Sequence, residues 1–199
     1  MILCRQMAKN LFEIEGDYLL AANKVLGLEG QGSNSLDRKV VAADSVIVAS
    51  LNANGYVIKT ISGSSNLLDV SYLSNGNKRN VNIEELLPIK DQIVYLSLGN
   101  LHLMDKDLEI IGQFINMVRL NIHSNPITDD GISFLGRLEN LEVLNLYGTK
   151  IGDKGLEGLG LLKELNRIYL WDTQVTPEKV ENFKAKHPDL EINLGEVVF

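Results

Sequence analysis

One feature constrains the fold of this chain more than any other: its apolar residues recur with a period of 24 residues. If Leu141 is position 1 of a unit, Leu144 and Leu146 occupy positions 4 and 6. Three more units keep this spacing without insertion or deletion, and a fifth keeps it except that Asp189 replaces the first apolar residue. The equivalent residues are Ile93, Leu96 and Leu98; Met117, Leu120 and Ile122; Leu165, Ile168 and Leu170; and Ile192 and Leu194. Such a period predicts stacked copies of one short unit.

Three further apolar columns run through the rest of each unit. They are Leu103, Ile127, Ile151 and Val175; Leu108, Ile132, Leu156 and Val180; and Ile111, Leu135, Leu159 and Phe183. Alternating apolar residues at positions 4 and 6 predict a short strand with one buried side. The later columns place one apolar face on a short helix. The pattern is the leucine-rich-repeat signature, and it predicts a right-handed α/β solenoid with a parallel sheet on the concave side and short helices outside.

The start of each helix follows from residues at one position of the unit. Thr176 is a predicted N-cap and Pro177 a predicted first helical residue. The repeat places Asp105, Asp129 and Asp153 at the position of Pro177. A carboxylate in the first turn of a helix interacts favourably with the helix dipole. We therefore interpret these aspartates as helix-start residues and not as catalytic groups.

The two ends of the chain differ from its middle, and we predict two domains. Residues 1–62 form an N-terminal helical capping region, and residues 63–199 form a leucine-rich-repeat domain of about four to five units of 24 residues. Within the first, residues 29–35 suit a loop, residues 37–56 suit an amphipathic helix ending near Asn54 and Gly55, and residues 56–61 suit a strand. Residues 66–73 alternate like a strand, and residues 80–89 suit the helix of a first unit shortened by two residues. The sequence does not define a role for residues 1–28.

Composition and motifs exclude several classes of function. The net charge is −7 and no dense cluster of Lys and Arg exists, which disfavours nucleic-acid binding. No apolar run is long enough to span a bilayer, and no signal peptide is evident. Cys4 is the one cysteine, so no internal disulfide can form. His102, His123 and His187 lack metal-ligand spacing. We predict no catalytic residue, metal or cofactor, and no enzymatic activity.

Side chains at positions 3, 5 and 7 of each strand are predicted to point onto the concave face. Tyr, Trp and Arg, the residue types enriched at interface hot spots, gather there. The predicted partner-binding residues are Tyr95, Arg119, Asn121, His123, Asn145, Tyr147, Arg167, Tyr169 and Trp171. Two interpretations remain open: this face binds a protein or peptide, or its side chains only stack on each other in a regular ladder. Five strands span only about 20 Å, so the chain, predicted to be a monomer, would bind weakly, bind a short peptide or use its loops as well. Alternatively, it stacks against other domains of its own protein.

Two resemblances follow from particular stretches of the sequence. The repeats resemble short bacterial leucine-rich-repeat proteins of the ribonuclease-inhibitor-like kind. The phrases "LNLYGT", "IYLWDTQVT" and "HPDLEINLG" resemble the C-terminal repeats of Planctomycetes and Bacteroidetes envelope proteins that also carry a c-type cytochrome domain. This second resemblance implies a periplasmic or envelope location and a docking role. Haem attachment in that family needs C-x-x-C-H, which a chain with one cysteine cannot supply.

The sequence thus favours a non-enzymatic module that binds a protein through its concave face. The alternative is a structural spacer or an intramolecular docking domain of a larger cell-envelope protein of the cytochrome type.

Overall fold

The structure, a computed structural model, describes residues 39–62, 65–72 and 81–195. Predictions for residues 1–38, including Cys4 and the loop at 29–35, lie outside the described residues. In chain order the elements are helix α1 (Ser45–Ala53), strands β1 (Tyr56–Thr60) and β2 (Leu68–Tyr72), a 3-10 helix (Ile83–Ile89), β3 (Ile93–Ser97), α2 (Asp105–Ile111), β4 (Arg119–Asn121), α3 (Asp129–Ile132), a second 3-10 helix (Ser133–Arg137), β5 (Val143–Asn145), α4 (Asp153–Leu159), β6 (Arg167–Tyr169), α5 (Pro177–Lys186) and β7 (Glu191–Asn193).

The described strands form one seven-stranded sheet in the order β1 to β7. Strand β1 is antiparallel to β2, and every later neighbour is parallel. The register advances by one repeat per strand, since Leu96 pairs with Leu120, Leu120 with Leu144, and Leu144 with Ile168. A helix follows each strand from β3 to β6, so the predicted alternation of short parallel strands and short helices is confirmed.

The apolar columns build one continuous core. Leu120, Leu144 and Ile168 on the strands are fully buried, as are Leu108 and Leu156 on the helices. Each unit therefore buries both of its apolar faces against its neighbours, as the repeat requires.

The N-terminal helix is shorter than predicted. Helix α1 begins after the N-cap Asp44, whose carboxylate accepts a hydrogen bond of 2.7 Å from the backbone N–H of Val46. Residues 39–43 are not helical, because the Asp44 side chain caps the backbone at this point. The end is as predicted: Asn54 is the C-cap, and Gly55 has a φ of +102°.

A turn with left-handed backbone follows each strand from β3 to β6. The residue at position 8 has a positive φ in four successive units: Asn100 (58°), Ser124 (53°), Gly148 (65°) and Asp172 (54°). Asn, Gly and Asp are residue types that tolerate this conformation. This column turns the chain from the strand toward the next helix.

The helix-start aspartates also join neighbouring units. The Asp105 carboxylate accepts hydrogen bonds from the N–H of Thr128 (2.8 Å) and from its hydroxyl (2.6 Å). Asp129 accepts from the N–H of Gly152 (2.7 Å), and Asp153 accepts from the N–H of Thr176 (2.7 Å). Each carboxylate thus satisfies a backbone donor just before the helix of the next unit.

We expect Asp105→Ala to lower the free energy of unfolding by about 1–3 kcal/mol, because a partly buried donor of Thr128 loses its acceptor. Asp130→Ala is the matched control, since Asp130 is exposed and forms one ion pair, with Lys154, at 4.0 Å. This control should change stability by no more than about 0.5 kcal/mol. Urea unfolding of the two variants measures both values, and equal effects would refute a structural role for Asp105.

Candidate concave-face binding site

The aromatic residues at position 7 form a stack that crosses the sheet. The rings of Tyr147 and Trp171 lie 5.0 Å apart at an angle of 27°, and those of His123 and Tyr147 lie 6.0 Å apart at 35°. A glycine stands at each end of this column. A Cβ atom at Gly99 would overlap the His123 ring, and one at Gly195 would overlap the Trp171 ring. Position 7 is therefore a closed column of three rings between two glycines.

The closed column limits what a partner can touch. Each of its three rings has a neighbour in the column on either side. Because the ring faces are taken, an incoming molecule meets ring edges, which carry the Tyr147 hydroxyl, the Trp171 indole N–H and an imidazole nitrogen. All three side chains are half-buried. A flat ligand therefore cannot stack on a ring face, but it can form hydrogen bonds with the ring edges.

Position 3 carries two arginines in different surroundings. Arg119 lies over the ring of Tyr95, with its guanidinium carbon 4.8 Å from the ring centre. Arg167 donates from Nε and Nη2 to Glu191, at 2.9 and 2.8 Å. Burial lowers the pKa of the Arg167 guanidinium. The charges and hydrogen bonds of Tyr169 and Glu191 together raise it by more, so the pKa lies above its usual value. Arg167 is therefore paired within the chain, and Arg119 rests on an aromatic ring.

A half-buried carboxylate on strand β2, that of Asp69, lies in register with the position-3 residues. Asp69 pairs with Lys59 on one side and with Tyr95 on the other. Burial raises the pKa of Asp69, opposed by the charges of Lys59 and Arg119. Burial likewise raises the pKa of Tyr95, while Arg119 lowers it and Glu142 and Asp69 raise it. Charged groups of both signs thus surround Tyr95.

Two of the predicted contact residues offer little surface. Asn121 is 4% exposed and Asn145 is 5% exposed. Their side-chain oxygens accept hydrogen bonds from the backbone N–H two residues later, at His123 (3.3 Å) and Tyr147 (3.0 Å). These two asparagines lie on the predicted face, but their side chains bind the backbone just after strands β4 and β5. The accessible part of the concave face comes from the other predicted residues: Tyr95, Arg119, His123, Tyr147, Arg167, Tyr169 and Trp171.

Sequence reasoning missed Asn125, a buried side chain that forms hydrogen bonds through both its oxygen and its amide nitrogen. It is 1% exposed and occupies position 9. Its oxygen accepts from the N–H of Leu101 and Leu103, at 2.9 and 3.0 Å. Its amide donates to the carbonyls of Leu98 and Ile122, at 2.9 and 2.8 Å. The signal was present, because Asn at this position completes the leucine-rich-repeat pattern.

A concavity of about 330 Å³ lies beside the helices. Phe183 and His187 line it, with ring centres 4.3 Å apart, and His187 is the C-cap of α5. Over the described residues there is no group of three or more His, Cys, Asp or Glu able to hold a metal. Within the same residues, no helix is long and apolar enough to cross a membrane.

A comparison with protein families identifies the same repeats in part of the chain. The family described as Leucine Rich repeat matches residues 115–136 and 137–160. The described residues form a leucine-rich-repeat solenoid, and proteins with these repeats generally mediate protein–protein interactions and are typically not enzymes. No curated protein matches the chain.

Two solved bacterial structures are similar to part of the chain. One is an internalin from Listeria monocytogenes, with 22% sequence identity and a TM-score of 0.47. The alignment covers 57% of this chain and 31% of the internalin chain. The other is a leucine-rich-repeat protein from Leptospira interrogans, with 18% sequence identity and a TM-score of 0.38. The alignment covers 56% of this chain and 33% of the Leptospira chain. The match thus spans about a third of the length of each of these proteins.

Proposed function

We propose that this chain is a non-enzymatic module that binds a protein or a peptide through the concave face. The observation that carries the proposal is the column of polar ring edges formed by His123, Tyr147 and Trp171 beside the position-3 arginines. Half-buried Tyr, Trp and Arg side chains on one surface are the composition of interface hot spots. The partner would lie across the strands and meet one ring edge per unit.

A second function is a structural spacer or an intramolecular docking domain of a larger cell-envelope protein of the cytochrome type. The pairing of concave-face side chains with each other favours it, because stacked rings and the Arg167–Glu191 pair are satisfied without a partner. The likeness to cytochrome-bearing envelope proteins is the reason for placing the module in such a protein.

A capture experiment tests the first proposal. We expect the wild-type chain to retain a partner from an envelope or a soluble extract, and Tyr147→Ala/Trp171→Ala to retain at least ten times less of it. The double alanine variant also removes the stacked rings. Tyr147→Phe therefore serves as a second variant, which keeps the ring and removes only the hydroxyl. Phe134→Ala is the matched control, since Phe134 is exposed on the second 3-10 helix, away from the strands.

Circular dichroism establishes that each variant is folded before capture. Loss of the partner in both concave-face variants, with Phe134→Ala unchanged, would support binding at the ring edges. Equal capture by all folded variants would refute the concave-face proposal. Capture of none, together with binding to the remainder of a longer parent protein, would favour the docking domain.

A further inference from the structure

The repeat places two arginines at the same position with different neighbours one strand further on. Arg167 pairs in register with Glu191, and Arg119 pairs in register with Val143. Glu191 receives both Nε and Nη2 of Arg167. The neighbour of Arg119 has an aliphatic side chain in the place where the neighbour of Arg167 has a carboxylate.

The hydrogen bonds of Arg119 reflect this difference. Its Nε is buried and has no hydrogen-bond acceptor among the described residues. No carboxylate of the described part of the chain lies within ion-pair distance of its guanidinium, whereas Arg167, Lys179 and Lys154 each have one. Arg119 is nevertheless held in place by the Tyr95 ring beneath it. Because the buried Nε is closed to an incoming molecule, the terminal nitrogens of this fixed guanidinium are the donors that it presents to an oxyanion.

The surface above Val143 lies between the two arginines. Val143 pairs with Arg119 on one side and with Arg167 on the other, and it is half-buried. Neighbouring strands are about 4.8 Å apart, so a carboxylate above Val143 is within reach of the Arg119 guanidinium. The ring column runs alongside, at position 7 of the same strands.

We infer that Arg119 is an anchor for a side-chain carboxylate of the partner, which lies above Val143 and binds the terminal nitrogens of the guanidinium. The inference rests on the proposed function and gives it a chemistry: the partner presents an aspartate or a glutamate to position 3. The carboxylate accepts hydrogen bonds from the guanidinium, and no covalent step is involved.

Two peptides and three variants test the anchor. The probe is an acetylated and amidated pentapeptide of alanine with a central glutamate, compared with the same peptide containing glutamine. Arg119→Gln removes the guanidinium, and Val143→Glu supplies an internal carboxylate. Lys59→Gln removes an exposed cation from strand β1, in register with Asp69. All three variants change the net charge by the same amount, so the long-range charge is matched. Titration is followed by the backbone amide chemical shifts of the folded full chain.

With the wild type, we expect the glutamate peptide to bind about 5- to 10-fold more tightly than the glutamine peptide, with shifts at and around Arg119 and Val143. Arg119→Gln and Val143→Glu should abolish this preference, and Lys59→Gln should keep it. An equal loss in Lys59→Gln, or a preference that survives Arg119→Gln, would overturn the anchor. The proposed function would survive that outcome if capture of the partner still depended on Tyr147 and Trp171.

Discussion

Asn125→Ala is expected to lower the free energy of unfolding by about 3–5 kcal/mol, because the substitution leaves several buried backbone groups without partners. The Asn125 oxygen is the acceptor for the N–H of Leu101 and of Leu103, and its amide donates to the carbonyls of Leu98, Ile122 and His123. The side chain is 1% exposed, so water cannot replace these bonds without opening the core. Urea unfolding followed by circular dichroism measures the change.

Asn125→Thr is the matched control for this prediction. Thr149 and Thr173 occupy the same position in the next two units, and each hydroxyl donates to the carbonyl three residues earlier, at 2.6 Å. Threonine at 125 would therefore keep a bond to Ile122 but lose the acceptor for Leu101 and Leu103. We expect a loss about half as large as that of the alanine variant. If both variants lost the same stability, the hydrogen bonds to the preceding unit would not be the cause.

Gly112→Ala is expected to lower the free energy of unfolding by about 2–4 kcal/mol, because the space for a side chain is occupied by backbone. A Cβ atom at Gly112 would overlap the carbonyl oxygen of Phe134 in the next unit. The φ of Gly112 is −61°, which any residue adopts, so the expected loss is steric and not conformational. Since a backbone oxygen cannot move aside as a flexible side chain does, the two units must separate.

Gly136→Ala supplies the control for the second prediction. A Cβ atom at Gly136 would meet nothing within 4 Å. Alanine restricts the unfolded chain more than glycine does, so this variant should be unchanged or more stable by up to about 1 kcal/mol. Opposite signs for the two variants in urea unfolding would confirm the close approach at Gly112, and two equal losses would contradict it.

The sequence was sufficient for the repeat register and for most of its consequences. The strand columns at Leu96, Leu120 and Leu144 are buried and in register as predicted. The start of α5 at Thr176 and Pro177 is also confirmed. These features follow from local spacing and from capping chemistry, both of which one sequence displays directly.

The details of the concave face were less accessible, because they depend on which side chains meet across units. Alternation alone places Asn121 and Asn145 beside their aromatic neighbours, but the turn that buries their side chains depends on backbone geometry. Gly99 and Gly195 resemble turn residues in the sequence, and only the ring stack shows that they close a column. Likewise, the different environments of Arg119 and Arg167 depend on the residue one strand further on.

The left-handed residue at position 8 has a consequence for how such a chain can lengthen or shorten. Gly148 and Asp172 hold this conformation one whole repeat apart, as do the helix-start aspartates and the rings of Tyr147 and Trp171. Duplication of a segment of one full period would therefore add a turn, a carboxylate bridge and a position-7 side chain together, with every older pairing intact. An insertion of any other length would break all three series at once. The concave face can therefore grow only by whole units.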